Sequence, residues 1–103
     1  MKLLTIIPEQ AVVGSGVSDR VPIYGYHMFS VQFSWTGTVL GVVSLEHSVN
    51  GETWDSITGS EQSTAGTAGS HMITYSLAGF PYFRAKYVHT SGSGNIKAMA
   101  TIK

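Results

Sequence analysis

The stretch Phe29-Ser30-Val31-Gln32-Phe33-Ser34-Trp35 alternates strictly between large apolar and small polar side chains. A period of two sends Phe29, Val31, Phe33 and Trp35 to one side of an extended chain, and Ser30, Gln32 and Ser34 to the other. A helix would need its apolar residues about every 3.6 positions, so this stretch predicts a half-buried strand with one wet face.

The same period recurs along the chain. His71, Ile73, Tyr75 and Leu77 oppose Met72, Thr74 and Ser76, and Phe83, Ala85 and Tyr87 oppose Tyr82, Arg84, Lys86 and Val88. Ile96, Ala98, Ala100 and Ile102 face one way at the C-terminus. Between 39 and 49, Val43, Leu45 and His47 share a face against Val42, Ser44, Glu46 and Ser48. Asn50-Gly51 then predicts a tight hairpin, since both residue types tolerate positive φ, with a partner strand over about 52–57 that carries Trp54. Upstream, 3–7 and 10–13 read as short strands, with Pro8 restricting the first to an edge or an end. Gly14-Ser15-Gly16-Val17-Ser18, Thr36-Gly37-Thr38, Ala78-Gly79-Phe80-Pro81 and Ser91-Gly92-Ser93-Gly94 punctuate the strands. Residues 58–70 hold no large apolar side chain and predict a long flexible loop. The expectation is an all-β chain, a single antiparallel β-sandwich of jelly-roll or immunoglobulin-like type with about seven to eight short strands. Residues 1–103 form one domain in this reading, with 1–22 as an N-terminal strand or arm.

Charge narrows the partners. Only 12% of the 103 residues are charged, with six basic and six acidic side chains. That is about half the usual charged share. No basic stripe exists to neutralise phosphates, so nucleic acid is not expected as a partner. No run is long enough to cross a membrane as a helix, and the apolar run at 3–7 is too short for a signal peptide. The expectation is a protein made in the cytoplasm with no membrane partner. Without cysteine, a small domain is held by its core or by association, so copies of itself are expected partners, as a dimer or trimer.

No catalytic, metal or cofactor site is expected. His27, His47, His71 and His89 are about twenty residues apart, without the close ligand pair that zinc motifs show. Asn50, Glu52 and Asp55 offer oxygens that turn chemistry explains better than calcium does. No serine sits in a G-x-S-x-G turn, and Gly14-Ser15-Gly16 lacks the lysine of a phosphate loop. Glu9, Glu46, Glu52 and Glu61 lack the cleft that a glycosidase pair needs. Trp35 is expected to plug the core. Trp54 either buttresses the hairpin or, with nearby tyrosines, stacks on a sugar.

Three groups of residues carry a resemblance. They are Phe29 to Thr38 with its Trp35-Thr36-Gly37-Thr38 corner, Ser48-Val49-Asn50-Gly51-Glu52-Thr53-Trp54, and Arg84-Ala85-Lys86-Tyr87 followed by Thr90-Ser91-Gly92-Ser93-Gly94. With Tyr24-Gly25-Tyr26 ahead of them, they resemble the small β-sandwich virion proteins of tailed bacteriophages, from about residue 24 to the C-terminus. The resemblance implies a non-enzymatic virion structural protein. Its favoured role is capsid decoration, or cement, on the outer capsid surface and bound to the major capsid protein. The alternative is a carbohydrate- or receptor-binding module of a tail or fibre, with Trp54 stacking on the sugar. In Leu3-Leu4-Thr5-Ile6-Ile7 apolar residues are adjacent as well as alternating, so a regular strand there is apolar on both faces. Leu3, Leu4, Ile6 and Ile7 are therefore the candidate interface with the capsid or a second subunit.

Overall fold

The predicted alternations at 29–35, 40–48, 71–76, 82–88 and 96–102 are realised as backbone pairing. The computed structural model describes residues 2–23, 25–76 and 81–103, and among these there is no helix. The strands are β1 (Lys2–Ala11), β2 (Gly16–Val17), β3 (Val21–Pro22), β4 (Met28–Trp35), β5 (Leu40–Ser48), β6 (Asp55–Ser56), β7 (Gln62–Ser63), β8 (Gly69–Ser76), β9 (Tyr82–Ser91) and β10 (Asn95–Ile102). Among the described residues they number ten, more than the seven or eight expected, because segments between the long strands pair in two-residue pieces. Tyr24, the inward assignment of Leu77 and the break at 78–80 lie outside the described residues.

The strands form two antiparallel sheets. The first runs β1-β10-β4-β8; the second runs β2-β9-β5-β6, with β3 also on β9 and β7 also on β5. Between the sheets lie the predicted inward residues: Phe29, Val31, Phe33 and Trp35 from β4, Phe83, Ala85 and Tyr87 from β9, and Ile96, Ala98, Ala100 and Ile102 from β10. Phe29 stacks on Phe83 of the facing sheet, ring centroids 4.3 Å apart and planes 7° from parallel. Such a pair adds about 0.5–1.5 kcal/mol to the burial of its area.

The two turn motifs meet. Thr38 N–H donates to the Ser93 carbonyl at 2.8 Å and Thr36 N–H to the Asn95 carbonyl at 3.0 Å, so the 36–38 corner docks on the β9–β10 turn. Gly37 and Gly92 both have φ near +80°, and a Cβ on either would strike backbone oxygen, Ser93 O or Thr38 O. The corner needs glycine for both conformation and space.

Three local expectations change. Asn50-Gly51 does not form a two-residue hairpin, because Gly51 has positive φ and Asn50 does not. Instead Asn50 Oδ1 accepts from the backbone N–H groups of Glu52 and Thr53, each at 2.9 Å, and from the Ser48 hydroxyl at 3.0 Å. This side-chain turn competes with a tight backbone turn and widens the loop. The returning strand begins only at Asp55, which pairs with His47, and Trp54 stands outside it.

The stretch 58–70 runs along β5 and pairs with it through β7, and its last two residues begin β8. β1 is one strand and not two. Its pairing with β10 shifts register between Thr5 and Ile7 and again between Ile7 and Gln10. Such bulges re-aim side chains and let two neighbours turn towards one face. Leu4 and Ile6 pack against the core and Ile7 lies in it. The strand is therefore not apolar on both faces.

Candidate interaction surfaces

The outer face of the first sheet follows directly from register. Leu3, Thr101, Ser30 and Thr74 form one row across the four strands, and Thr5, Met99, Gln32 and Met72 form the next. The hydroxyls of Ser30 and Thr74 bond each other at 2.9 Å. Ionisable side chains enter this face at its two ends, among the described residues: Lys97, with Glu9 beside a shallow hollow of about 30 Å³, and Lys103, which exchanges backbone hydrogen bonds with Met28. Leu3 and Met72 are 67% and 58% exposed. Short hydroxyls lose little rotamer entropy when covered, and no charge has to be stripped of water, so such a face suits contact with another protein.

Leu3 alone of the four candidate interface residues belongs to this face. Leu4, Ile6 and Ile7 face the chain's own core. The bulges that decide this have no signature in the apolar pattern.

Hydroxyl groups finish the edges of the second sheet. Along β5, Leu45 N–H donates to Ser60 Oγ and Gly41 N–H to Thr64 Oγ1, both at 3.0 Å, while the Thr64 hydroxyl donates to the Val39 carbonyl at 2.6 Å. Ser60 and Thr64 are fully buried. Along β9, His89 N–H donates to Ser15 Oγ at 2.8 Å and Ala85 N–H to Ser18 Oγ at 2.9 Å. Buried backbone groups must find partners, and side-chain oxygens supply them here where regular strand pairing stops.

The outer face of the second sheet is charged. Glu46 and Arg84 are cross-strand neighbours, and Arg84 Nε donates to Glu46 Oε1 at 2.8 Å, with Lys86 Nζ 3.7 Å from Oε2. The Arg84 guanidinium lies 4.3 Å from the Trp54 ring centroid, which folds the 49–54 loop over the pair. Trp54 is half-buried as a result, and Glu46 is buried on a face expected to be wet. Its pairing partner was missed because β5 and β9 are distant in sequence.

At the open flank, two adjoining hollows of about 270 and 280 Å³ run between β1 and the β2–β3 segment and share Ile6 and Asp19. Tyr87 lines the first, its hydroxyl 2.8 Å from His89 Nδ1, and burial raises its pKa above the ordinary tyrosine value. The histidines do not converge: no three His, Asp or Glu side chains are grouped to hold a metal among the described residues. Asn50 Oδ1, the first of the calcium candidates, is engaged by its own turn.

No protein-family model and no curated protein matches the chain. Among solved structures, the SPBc2 prophage-derived protein YomS superposes with a TM-score of 0.64 at 10% identity, covering 99% of this chain and 92% of that one. The PBSX exported protein XepA gives 0.73 at 13% identity, over 98% of this chain and 36% of XepA. CBM4, a carbohydrate-binding module, gives 0.53 at 12% identity, over 92% of this chain and 82% of that one. At these identities the likeness is one of fold: the chain shares its β-sandwich with two phage-derived proteins and a carbohydrate-binding module.

Proposed function

We propose that this chain is a non-enzymatic structural protein of a bacteriophage particle, and that it decorates the capsid by laying the outer face of its first sheet on the major capsid lattice. The observation that carries this reading is that face, four strands wide and without an ionisable side chain in its two central rows, between Lys97 at one end and Lys103 at the other. Its fold likeness to YomS and XepA supports a phage origin. A cement protein spreads contact over neighbouring subunits, so weak contacts repeated by symmetry add up through avidity.

The test is co-sedimentation with capsids built from the major capsid protein encoded alongside it. Gln32→Lys with Met99→Lys places two charges mid-face and should abolish binding, while the melting temperature falls only by the few degrees that two like charges on paired strands cost. Undiminished binding by that variant defeats the proposal.

The rival reading is a sugar- or receptor-binding module of a tail or fibre. It rests on Trp54, half-exposed beside a polar loop, and on the fold shared with CBM4. Retardation of the protein in polysaccharide gels, lost in Trp54→Ala, would favour the rival.

A further inference from the structure

The four sheet edges are not equivalent. In the second sheet, the edges of β5 and β9 are filled by two-residue strands and by the hydroxyls of Ser60, Thr64, Ser15 and Ser18. In the first sheet, β1 carries two register shifts, a charge at Lys2 and another at Glu9, and Pro8, which has no N–H to offer. Bulges, charges and proline are the usual means of keeping an edge strand from pairing with another molecule.

β8 has none of these. It pairs with β4 over all eight residues without a shift, contains no proline and no Asp, Glu, Lys or Arg, and no described residue pairs with its other side. A free edge of that length is a row of unpaired N–H and C=O groups.

We propose that β8 pairs antiparallel with β8 of a second copy, about a two-fold axis at Ile73. The strand's own sequence selects that partner, because Ser70-His71-Met72-Ile73-Thr74-Tyr75-Ser76 is nearly symmetric about Ile73. Reversed against itself, it sets serine opposite serine, His71 opposite Tyr75 of the second copy, and Met72 opposite Thr74 of the second copy. A two-fold contact requires this self-complementarity.

One further observation points the same way. Met72, 58% exposed, falls beside the axis against Thr74 of the second copy. The dimer continues the first sheet through both copies and doubles its outer face.

Sedimentation velocity on the intact protein should show a dimer. Met72→Lys with Thr74→Lys places four ammonium groups around the axis and should raise the dissociation constant at least tenfold, with far-UV circular dichroism unchanged. A register test does not depend on how that variant folds. The chain has no cysteine, so Met72→Cys mixed with Thr74→Cys should give an oxidised heterodimer faster than either variant alone gives a homodimer. A protein that stays monomeric up to its solubility limit overturns the proposal. So does a dimer that cross-links equally well without the matched pair. Capsid binding is read separately through Gln32 and Met99, so failure here leaves the docking face standing.

Discussion

Glu46 and Arg84 face each other across β5 and β9, joined at 2.8 Å, with the Arg84 guanidinium 4.3 Å from the Trp54 ring. One arginine thus holds a buried carboxylate through Nε and lies over an indole ring. Arg84→Ala leaves Glu46 with Lys86 alone at 3.7 Å. A charge-assisted hydrogen bond to a poorly solvated group contributes about 1.5–3 kcal/mol. We expect Arg84→Ala to melt roughly 4–8 °C lower per kcal/mol lost, and Trp54 fluorescence to shift towards that of an exposed indole. An unchanged melt and spectrum would show that the triad contributes nothing.

Trp35 is 6% exposed and its Nε1–H donates to the Thr67 carbonyl at 2.7 Å. Trp35→Ala should therefore cost about 3–5 kcal/mol in urea unfolding. A loss below about 1 kcal/mol would contradict its place in the core.

Ser60 and Thr64 stand in for a neighbouring strand along β5. Ser60→Ala and Thr64→Val each strand buried backbone groups, at about 1–3 kcal/mol apiece. Amide exchange at Leu45 and Gly41 should accelerate in the corresponding variant. Exchange that stays slow in both would mean that the loop's backbone alone protects β5.

Deleting residues 1–7 separates the two roles of the N-terminal strand. Because Leu4, Ile6 and Ile7 pack into this chain's core, the truncated protein should melt many degrees lower. A normal melt together with lost capsid binding would assign the segment to a partner instead.

Burial raises the pKa of Tyr87, so the native state prefers the neutral phenol. A raised folded pKa gives stability that is full below the unfolded value, roughly pH 10, and is lost as the pH climbs through the folded one. Melting temperature should fall more steeply above pH 10 in the natural protein than in Tyr87→Phe. Parallel profiles would show that Tyr87 does not contribute to the alkaline loss.

Local alternation determined much by itself. Which residues of 29–35, 71–75, 82–88 and 96–102 face the core depends only on the pleat of an extended chain, and one such face is enough to make a sandwich. Composition determined the poverty of charge that leaves the first sheet's outer face bare. Pairing between distant segments decided the rest. The Thr5–Ile7 bulge turned Ile6 and Ile7 inward together, Ser60 and Thr64 found β5, and Glu46 found Arg84. Each outcome depends on which backbone groups and charges meet when strands far apart in sequence are brought side by side. A period of two holds no information about that, because it records which face a side chain takes and not which neighbour it meets.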